Sequence, residues 1–447
     1  MCQRDSFFSS VCSLAIPVAL QSMLQASFSI VDQIMIGQLG SVSVAGVGLA
    51  GKFASIYSVI VSAVGVVAGI MISQYLGQKN QREVRRSFLV NLLIAVGLAG
   101  VFTLLCGGFP AQIMGLYTTD APMRQSASVY LQIITATYLP LAGATLLSTL
   151  LRCMDKAQLP LYASIASAVL NTGLNYLLIF GRLGLPAMGA SGAAIATVIS
   201  TWVNFLLMLA MLGRHSALLK TAGNSGEKMG KFNLMQYFSM LMPILVCEFL
   251  WSLGENIYAA IYGHMGTDAS AAMTLINPVQ SLVIGALCGL SQAASVIIGK
   301  ELGSREYNQA YRDSWRLIRY GLFGAVILSA LVVVASPLYV QIYQVDDAVK
   351  LLTRQILLAY ALIAPFKVLN MIAGGGILRS GGKTNYVMWI DMIGTWVFGV
   401  PLGLLSAFVW KLSIPCVYFI LSLEECVRFG ITVLALRSKR WMQSLGA

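Results

Sequence analysis

Long apolar runs alternate with short polar segments along the whole chain. Runs of about 20 apolar residues are long enough to cross a bilayer as α-helices, and we count twelve of them. The pattern predicts an all-α integral membrane protein with twelve transmembrane helices. The predicted helices cover residues 10–36, 44–74, 88–108, 126–151, 159–180, 189–213, 234–263, 269–298, 316–340, 351–378, 385–409 and 413–436.

The longest polar interruption, residues 214–231, falls near the middle of the chain and is rich in Gly, Ser and Lys. It predicts an N-lobe of six helices at 1–213, a cytoplasmic linker at 214–231 and a C-lobe of six helices at 232–447. The two halves also match each other in sequence, which indicates parallel six-helix repeats with the substrate path between the lobes. Matched pairs include Pro17/Pro243, Gly77/Gly303 and Arg86/Arg312 at a separation of 226, then Arg152/Arg379 at 227.

Composition and charge argue against a soluble protein and against a nucleic-acid-binding protein. The chain is 57% hydrophobic and 10% charged with a mean hydropathy of +0.78, which a soluble domain could not carry without large exposed apolar patches. The net charge of +12 is spread over alternate loops instead of an aromatic-rich patch, so we expect no nucleic-acid partner. With the N-terminus in the cytoplasm, 21 basic residues lie inside and 5 outside. This bias predicts a multi-pass protein of the cell inner membrane with both termini cytoplasmic.

The first apolar run carries an acid, Asp32, in an otherwise uncharged helix. Gln21, Gln25 and Ser29 fall in the same sector of that helix, and such a polar stripe faces protein or water rather than lipid. Helix five repeats the pattern with Ser164, Ser167, Asn171 and Asn175, and helix six with Thr197, Thr201 and Asn204. A carboxylate beside neutral oxygens suits a proton or a sodium ion. An interhelical hydrogen bond that only holds the bundle together is the structural alternative.

The C-lobe carries a second set of embedded charges. Glu248 and Glu255 share one face of helix seven, and Asp391 occupies the repeat position of Ser164. These three acids are candidates for a substrate-binding or second protonation site, since a lipophilic cation suits carboxylates flanked by aromatic rings. The alternative is that one glutamate pairs with Lys367. Elsewhere in this lobe, Glu424 and Glu425 precede Arg428 by four and three residues, which indicates structural pairing within a helix.

Motifs for catalysis or ATP use are missing from the sequence. No Walker loop, nucleophile elbow or HExxH occurs, and the eight cysteines are scattered without metal-ligand spacing. We expect no enzyme activity, no cofactor other than H+ or Na+ as coupling ion, and no bound metal other than Na+ at the Asp32 site. A membrane-embedded enzyme would need a His, Cys or Ser/Asp constellation, and the two histidines lack partners.

Several segments resemble the multidrug and toxic compound extrusion (MATE) family of secondary transporters. They are VDQIMIGQLGSVSVAGVGL, ISQYLGQKNQREVRRS, LRCMDKAQLPLYASIASAVLNTGLNYLLIFGRLGLPAMGASGAAIAT, IIGKELGSREYNQAYRDS and GILRSGGKTNYVMWIDMIGTWVFGVPL. The resemblance covers essentially the whole chain. It implies a V-shaped pair of six-helix bundles that exports amphipathic cationic compounds in exchange for sodium or protons.

The resemblance also implies a coupling site in the first lobe, as in the prokaryotic branch with a first-helix aspartate. On that pattern Asp32 matches the aspartate, Asn171 the helix-five asparagine and Thr197 the helix-six threonine. Asn175 stands where many relatives have a second aspartate, which weakens the case for tight sodium binding and leaves a proton plausible. Lys383 also departs from the family pattern, because it stands at a loop position where the family usually has an acid.

The sequence therefore predicts an ion-coupled antiporter for multidrug efflux that acts as a monomer on small organic cations. A lipid-linked precursor flippase of the same superfamily is the first alternative, although it would more typically carry a basic cavity. An exporter devoted to one endogenous metabolite cannot be separated from a multidrug exporter by sequence.

Overall fold

The chain is helical throughout the part that the structure, a computed structural model, describes, with no strand in residues 2–39, 41–182, 184, 186–215, 234–343 and 345–445. Eleven of the helices are long and apolar enough to cross a membrane. Six precede the middle of the chain: α1 (Cys2–Gly37), α2 (Ser41–Gly77), α3 (Gln81–Gly108), α4 (Ala121–Cys153), α5 (Gln158–Phe180) and α6 (Gly189–His215). Five follow it: α7 (Leu234–His264), α8 (Thr267–Gly303), α9 (Tyr307–Gln341), α10 (Asp347–Leu378) and α11 (Thr384–Val409).

The twelfth predicted helix is present but interrupted at one residue. Residues 413–436 form two shorter helices, α12 (Ile414–Ser422) and α13 (Glu424–Arg437), with Leu423 between them. The Leu423 amide donates to Ile420 three residues back, and the two glutamates that follow favour a new helix N-terminus. Hydropathy detects the apolar run but not this break. A six-residue helix, Pro110–Gly115, also precedes α4.

The chain divides into two compact units. The first-half unit consists of Leu20–Ile72 and Asn80–Phe232. The second-half unit consists of Asn233–Ala447 together with Met1–Ala19 and Ser73–Lys79, so the start of α1 and the end of α2 pack in it. The predicted linker, 214–231, lies outside the described residues except for the last two residues of α6, and the predicted domain division stays a prediction.

Backbone conformation confirms the internal repeat. Lys79 and Arg305, which are 226 residues apart, both have positive φ, at 56° and 64°. Asp155 and Gly382, which are 227 apart, do so at 62° and 76°. Non-glycine residues seldom adopt this conformation, so its recurrence at matched positions shows that the loops after α2 and α8, and those after α4 and α10, are built alike.

The change in repeat separation from 226 to 227 coincides with a local difference between α4 and α10. α4 is tightened into a 3₁₀ turn at Thr135–Thr137, where the Trp202 indole donates to the Ala136 carbonyl at 3.0 Å. α10 is instead widened into a π-helix at Met371–Leu378. A 3₁₀ turn holds fewer residues than an α-turn and a π-turn holds more, which matches the extra residue in the second copy.

Within the second-half unit, α2 and α8 cross at very close range. Gly77 lies against the Lys300 carbonyl, Gly303 against the Gln74 carbonyl and Gly299 against Ser73, so a Cβ at any of these glycines would overlap its neighbour. Gly77 and Gly303 are repeat partners. This close approach lets the Gln74 side chain donate to the Ser380 carbonyl at 2.6 Å.

Replacing Gly303 by alanine should destabilise the fold by about 1–3 kcal/mol, because the added Cβ overlaps the backbone of α2. Thermal unfolding of the purified protein, followed with a thiol-reactive dye, measures this change, since Cys106, Cys153 and Cys247 are buried. Gly97→Ala is the matched control: Gly97 has open space around its Cβ position, and alanine favours the helix by about 1 kcal/mol. Equal melting temperatures for Gly303→Ala and the unmodified chain would contradict the tight crossing.

Candidate functional site

The polar stripe of α1 meets α5 at Asp32. The Asn175 Nδ2 donates to the Asp32 Oδ1 at 2.7 Å, and Asp32 itself is half-buried. Asn175 is 1% exposed, and its Oδ1 has no hydrogen-bond partner among the described residues. The structure thus brings together two residues that sequence periodicity placed on separate stripes, and it leaves a buried carbonyl oxygen beside the acid.

Asn171 lies one turn before Asn175 and also faces Asp32. The amide atom of Asn171 nearest the acid is 3.1 Å from both carboxylate oxygens, while the other amide atom is 3.2 Å from the Ser200 hydroxyl. If the near atom is nitrogen, the amide donates to an ionised carboxylate. If it is oxygen, two acceptors face each other, and only a proton or a cation between them makes that arrangement favourable.

From α6, the residue that reaches this group is Ser200 rather than Thr197. The Thr197 hydroxyl donates to the Ala193 carbonyl of its own helix at 2.9 Å, whereas the Ser200 hydroxyl contacts Asn171. Ser200 lies one turn after Thr197. The Ser200 carbonyl accepts a hydrogen bond from the Ser167 hydroxyl at 2.8 Å. Sequence reasoning missed Ser200, although its three-residue spacing from Thr197 was available as a signal.

Further side chains extend the polar group around Asp32 in the first-half unit. The Gln21 amide donates to the Ser164 hydroxyl at 2.7 Å and accepts from Arg152 at 2.8 Å, so the α1 stripe continues to a cation at the end of α4. Tyr130 of α4 interacts electrostatically with Asp32. Sequence reasoning had matched Arg152 with its repeat partner Arg379 and had not identified Tyr130.

The second-half unit contains a buried arginine surrounded by three acids. Arg428 of α13 is 8% exposed, with its guanidinium nitrogens 3.9 Å from Asp391 and 3.8 Å from both Glu424 and Glu425. It also donates to the Thr395 hydroxyl. The predicted pairing within the helix is confirmed. Asp391, from α11, joins the same group, which sequence spacing did not reveal.

Glycines in a π-helical segment of α11, Ile393–Gly399, leave the space for this cluster. A Cβ at Gly394 would overlap the Arg428 side chain, and a Cβ at Gly399 would overlap Glu424 and the Tyr258 hydroxyl. These close approaches fix where the guanidinium and the carboxylate lie.

Neutral side chains bind the remaining carboxylate oxygens. The Tyr258 hydroxyl donates to Glu424 at 2.6 Å, and the Asn370 amide donates to Glu425 at 2.8 Å. Tyr258 occupies the repeat position of Asp32. In the second half, therefore, a hydrogen-bond donor stands where the first half has its acid.

The three acids predicted as one C-lobe site lie in different surroundings. Glu248 lies 3.8 Å from Arg379, so its ion pair is with Arg379 and not with Lys367. Asp391 accepts from the Cys247 thiol at 2.8 Å and belongs to the Arg428 cluster. Glu255 lines a cavity that Glu424 and Glu425 of that cluster also line. The three acids therefore differ in their immediate partners, although Cys247 contacts both Asp391 and Arg379 and so links the first two.

That cavity has a volume of about 350 Å³ and lies wholly within the second-half unit. Three acids and one base line it, together with four tyrosines and several neutral polar side chains. The charged residues are Glu255, Glu424, Glu425 and Lys367, and the tyrosines are Tyr258, Tyr262, Tyr360 and Tyr418. Such a mixture of aromatic and polar walls is typical of small-molecule sites.

A repeated bundle of membrane-length helices, with embedded acids and an acid-lined cavity, defines a multi-pass membrane transport protein. The MatE family model matches residues 17–177 and again residues 243–405. The chain belongs to the MatE family, and the two matches coincide with the two copies of the repeat.

Sequence alignments with similar proteins cover most of the chain. The uncharacterized transporter YisQ of Bacillus subtilis (strain 168) is 23% identical over 441 residues, covering 97% of this chain and 95% of its own. The probable multidrug resistance protein NorM of Pasteurella multocida (strain Pm70) is 27% identical, covering 87% and 84%. The crystal structure of MATE in complex with MaL6 has the same fold, with a TM-score of 0.87 at 16% identity, covering 96% and 95%.

Arg428→Met should destabilise the protein by about 3–5 kcal/mol, because it removes the cation shared by three buried carboxylates. Folded yield after detergent extraction and the melting temperature measure the loss. Arg354→Met, at an exposed position of α10, serves as control and should be close to neutral. If both variants melted like the unmodified protein, Arg428 would not be the stabilising centre of this cluster.

Proposed function

We propose that this protein is a secondary active antiporter that exports amphipathic organic cations in exchange for H+ or Na+ by alternating access. The coupling ion binds at Asp32, with Asn171 and Asn175 of α5 and Ser200 of α6 completing the pocket. Thr197 lies one turn before Ser200, and its hydroxyl donates to the Ala193 carbonyl within α6. Family membership supports transport, and the pocket supplies the coupling chemistry.

The observation that carries this proposal is the pair of carboxamides facing one half-buried acid. Each carboxamide has a donor end and an acceptor end, and rotation about its last side-chain bond exchanges the two. With nitrogens toward Asp32, the pocket stabilises an ionised carboxylate. With oxygens toward it, the same pocket accepts a protonated acid or a sodium ion.

The unpartnered Asn175 Oδ1 fits the second arrangement. A buried carbonyl oxygen without a hydrogen bond costs about 1–3 kcal/mol, and a cation or an acid proton at Asp32 would satisfy it after the amide turns. The ion would therefore be bound by a carboxylate and amide oxygens, which are the ligands hard cations prefer.

Acids outnumber bases in the described second-half cavity, which supports cationic cargo. The names of several relatives, including the NorM proteins, refer to multidrug resistance, and this supports efflux of more than one compound. Exchange requires that the ion and the cargo each favour a different conformation, because a ligand shifts an equilibrium only by its difference in affinity for the two states.

Asp32→Asn should abolish gradient-driven export of ethidium in everted membrane vesicles, because an amide cannot exchange a proton or neutralise a sodium ion. Imposing sodium and pH gradients separately identifies the ion. Asp120→Asn, at an exposed position outside the pocket, should transport normally. Normal ethidium export by Asp32→Asn would contradict the assignment of the coupling site.

Asn175→Asp should raise the affinity for sodium on the order of tenfold, because a second carboxylate adds charge and a ligand beside Asp32. The measurement is the rise in melting temperature as NaCl replaces choline chloride at constant ionic strength. Asn80→Asp is the control, since Asn80 caps α3 at an exposed position and aspartate caps equally well. An unchanged sodium response in Asn175→Asp would count against an ion between residues 32 and 175.

A further inference from the structure

A short segment that follows α13, residues 441–445, lies against the end of α2. α13 ends at Arg437, and the Trp441 indole then donates to the Leu436 carbonyl at 3.2 Å. Trp441 is 1% exposed and belongs to the apolar core of the second-half unit. Its carbonyl lies so close to Gly381 that a Cβ there would overlap it. The tryptophan therefore anchors the segment to the second-half unit.

The side-chain amide of Gln74 joins this segment to α2. Its oxygen accepts from the Leu445 backbone N–H at 2.6 Å. Its nitrogen donates to the Gln443 carbonyl at 3.2 Å and to the Ser380 carbonyl at 2.6 Å. Gln74 is fully buried, at 0% exposure. Loss of the segment would leave a buried amide oxygen without this partner, which is unfavourable.

Gln78 binds the same segment from the next turn of α2. Its nitrogen donates to the Leu445 carbonyl at 2.6 Å and to the Ser444 hydroxyl at 3.2 Å. Residues four apart lie on one face of a helix, so Gln74 and Gln78 act together on three successive residues. None of these five side chains ionises near neutral pH. The hold on α2 is therefore independent of pH and of sodium.

α2 is the helix that such a hold affects most, because it belongs to both compact units. Its residues up to Ile72 lie in the first-half unit, whereas Ser73–Lys79 lie in the second-half unit. Alternating access requires the lobes of a transporter to rearrange, and a rearrangement of the first-half helices would displace this end of α2. Close packing of Gly77 against α8 and the hydrogen bonds to the 441–445 segment both oppose that displacement.

We propose that residues 441–445 form a strap that holds the end of α2 in the second-half unit and releases it during each transport cycle. The inference rests on the proposed alternating access and adds a conformational control to it. Release breaks the four hydrogen bonds that Gln74 and Gln78 make with the strap, and re-forming them returns the end of α2. The strap is separate from the Asp32 pocket, which lies in the first-half unit.

Hydrogen–deuterium exchange, read by mass spectrometry on the protein in lipid nanodiscs, tests the hold on α2. Deletion of residues 443–447 removes the strap contacts without changing α2. Exchange within residues 73–79 should become faster on the order of tenfold, the change that corresponds to the loss of one or two hydrogen bonds. Gln78→Leu, which keeps the strap sequence, should act in the same direction.

Gln443→Ala is the matched control for these variants. Gln443 binds Gln74 through its backbone carbonyl, so this substitution should leave the exchange of residues 73–79 unchanged. Unchanged exchange there after the deletion overturns the strap. If the deletion variant does not fold, the same reading of Gln78→Leu decides the matter.

A reversible cross-link tests whether transport needs the release. Gln78→Cys combined with Ser444→Cys, joined by a short bis-methanethiosulfonate, should lose ethidium export in everted vesicles, and reduction should restore it. The unmodified chain with the same reagent controls for its eight native cysteines and should export normally. Normal export by the cross-linked protein overturns the inference. Absence of export by the unmodified chain rejects the antiport, whereas faster exchange within residues 73–79 still supports the strap.

Discussion

An ion held within a hydrocarbon layer has to be paired or bound, because an unpaired charge at the bilayer centre costs on the order of 2.5–3.5 kcal/mol on insertion scales. The two units meet this constraint in different ways. In the first-half unit, the membrane-embedded acid Asp32 lies against neutral amides. The second-half unit surrounds Arg428 with carboxylates and holds them with Tyr258 and Asn370. On the proposed function, the Asp32 group is the one that exchanges a proton or an ion, whereas the Arg428 group is fixed by mutual pairing.

Sequence reasoning found most of the fold, because its signals are strong and local. Apolar runs long enough to span a bilayer predicted eleven helices that the structure contains, and gapless matching predicted the repeat. The break at Leu423 was not predicted because a hydropathy window averages over the strongly apolar segment before it and the charged residues after it, and so does not register a single-residue interruption. The π-helical segments of α10 and α11 escaped for another reason: hydropathy does not report how tightly a helix is wound.

The sequence predicted those site residues that lie on a polar stripe of a single helix. Asp32, Asn171 and Asn175 lie on such stripes, and the structure brings them together. Ser200 replaced Thr197 as the contact because helix rotation, which periodicity does not fix, decides which hydroxyl faces a neighbour. Asp391 was not connected with Arg428, and Glu248 was not connected with Arg379, because each ion pair joins two helices. Spacing along one helix carries no information about such partners.

The π-turn in α10 bears on how the two halves diverged after duplication. A single codon inserted into a helix would rotate every later side chain by about 100° and turn its buried face toward lipid. A wider turn absorbs the extra residue locally. The two family matches have starts 226 residues apart and ends 228 apart, so the second match is two residues longer, and α11 contains π-helical segments of its own. The wider turns therefore let the longer copy hold its extra residues within its membrane helices without losing the register of its packing faces.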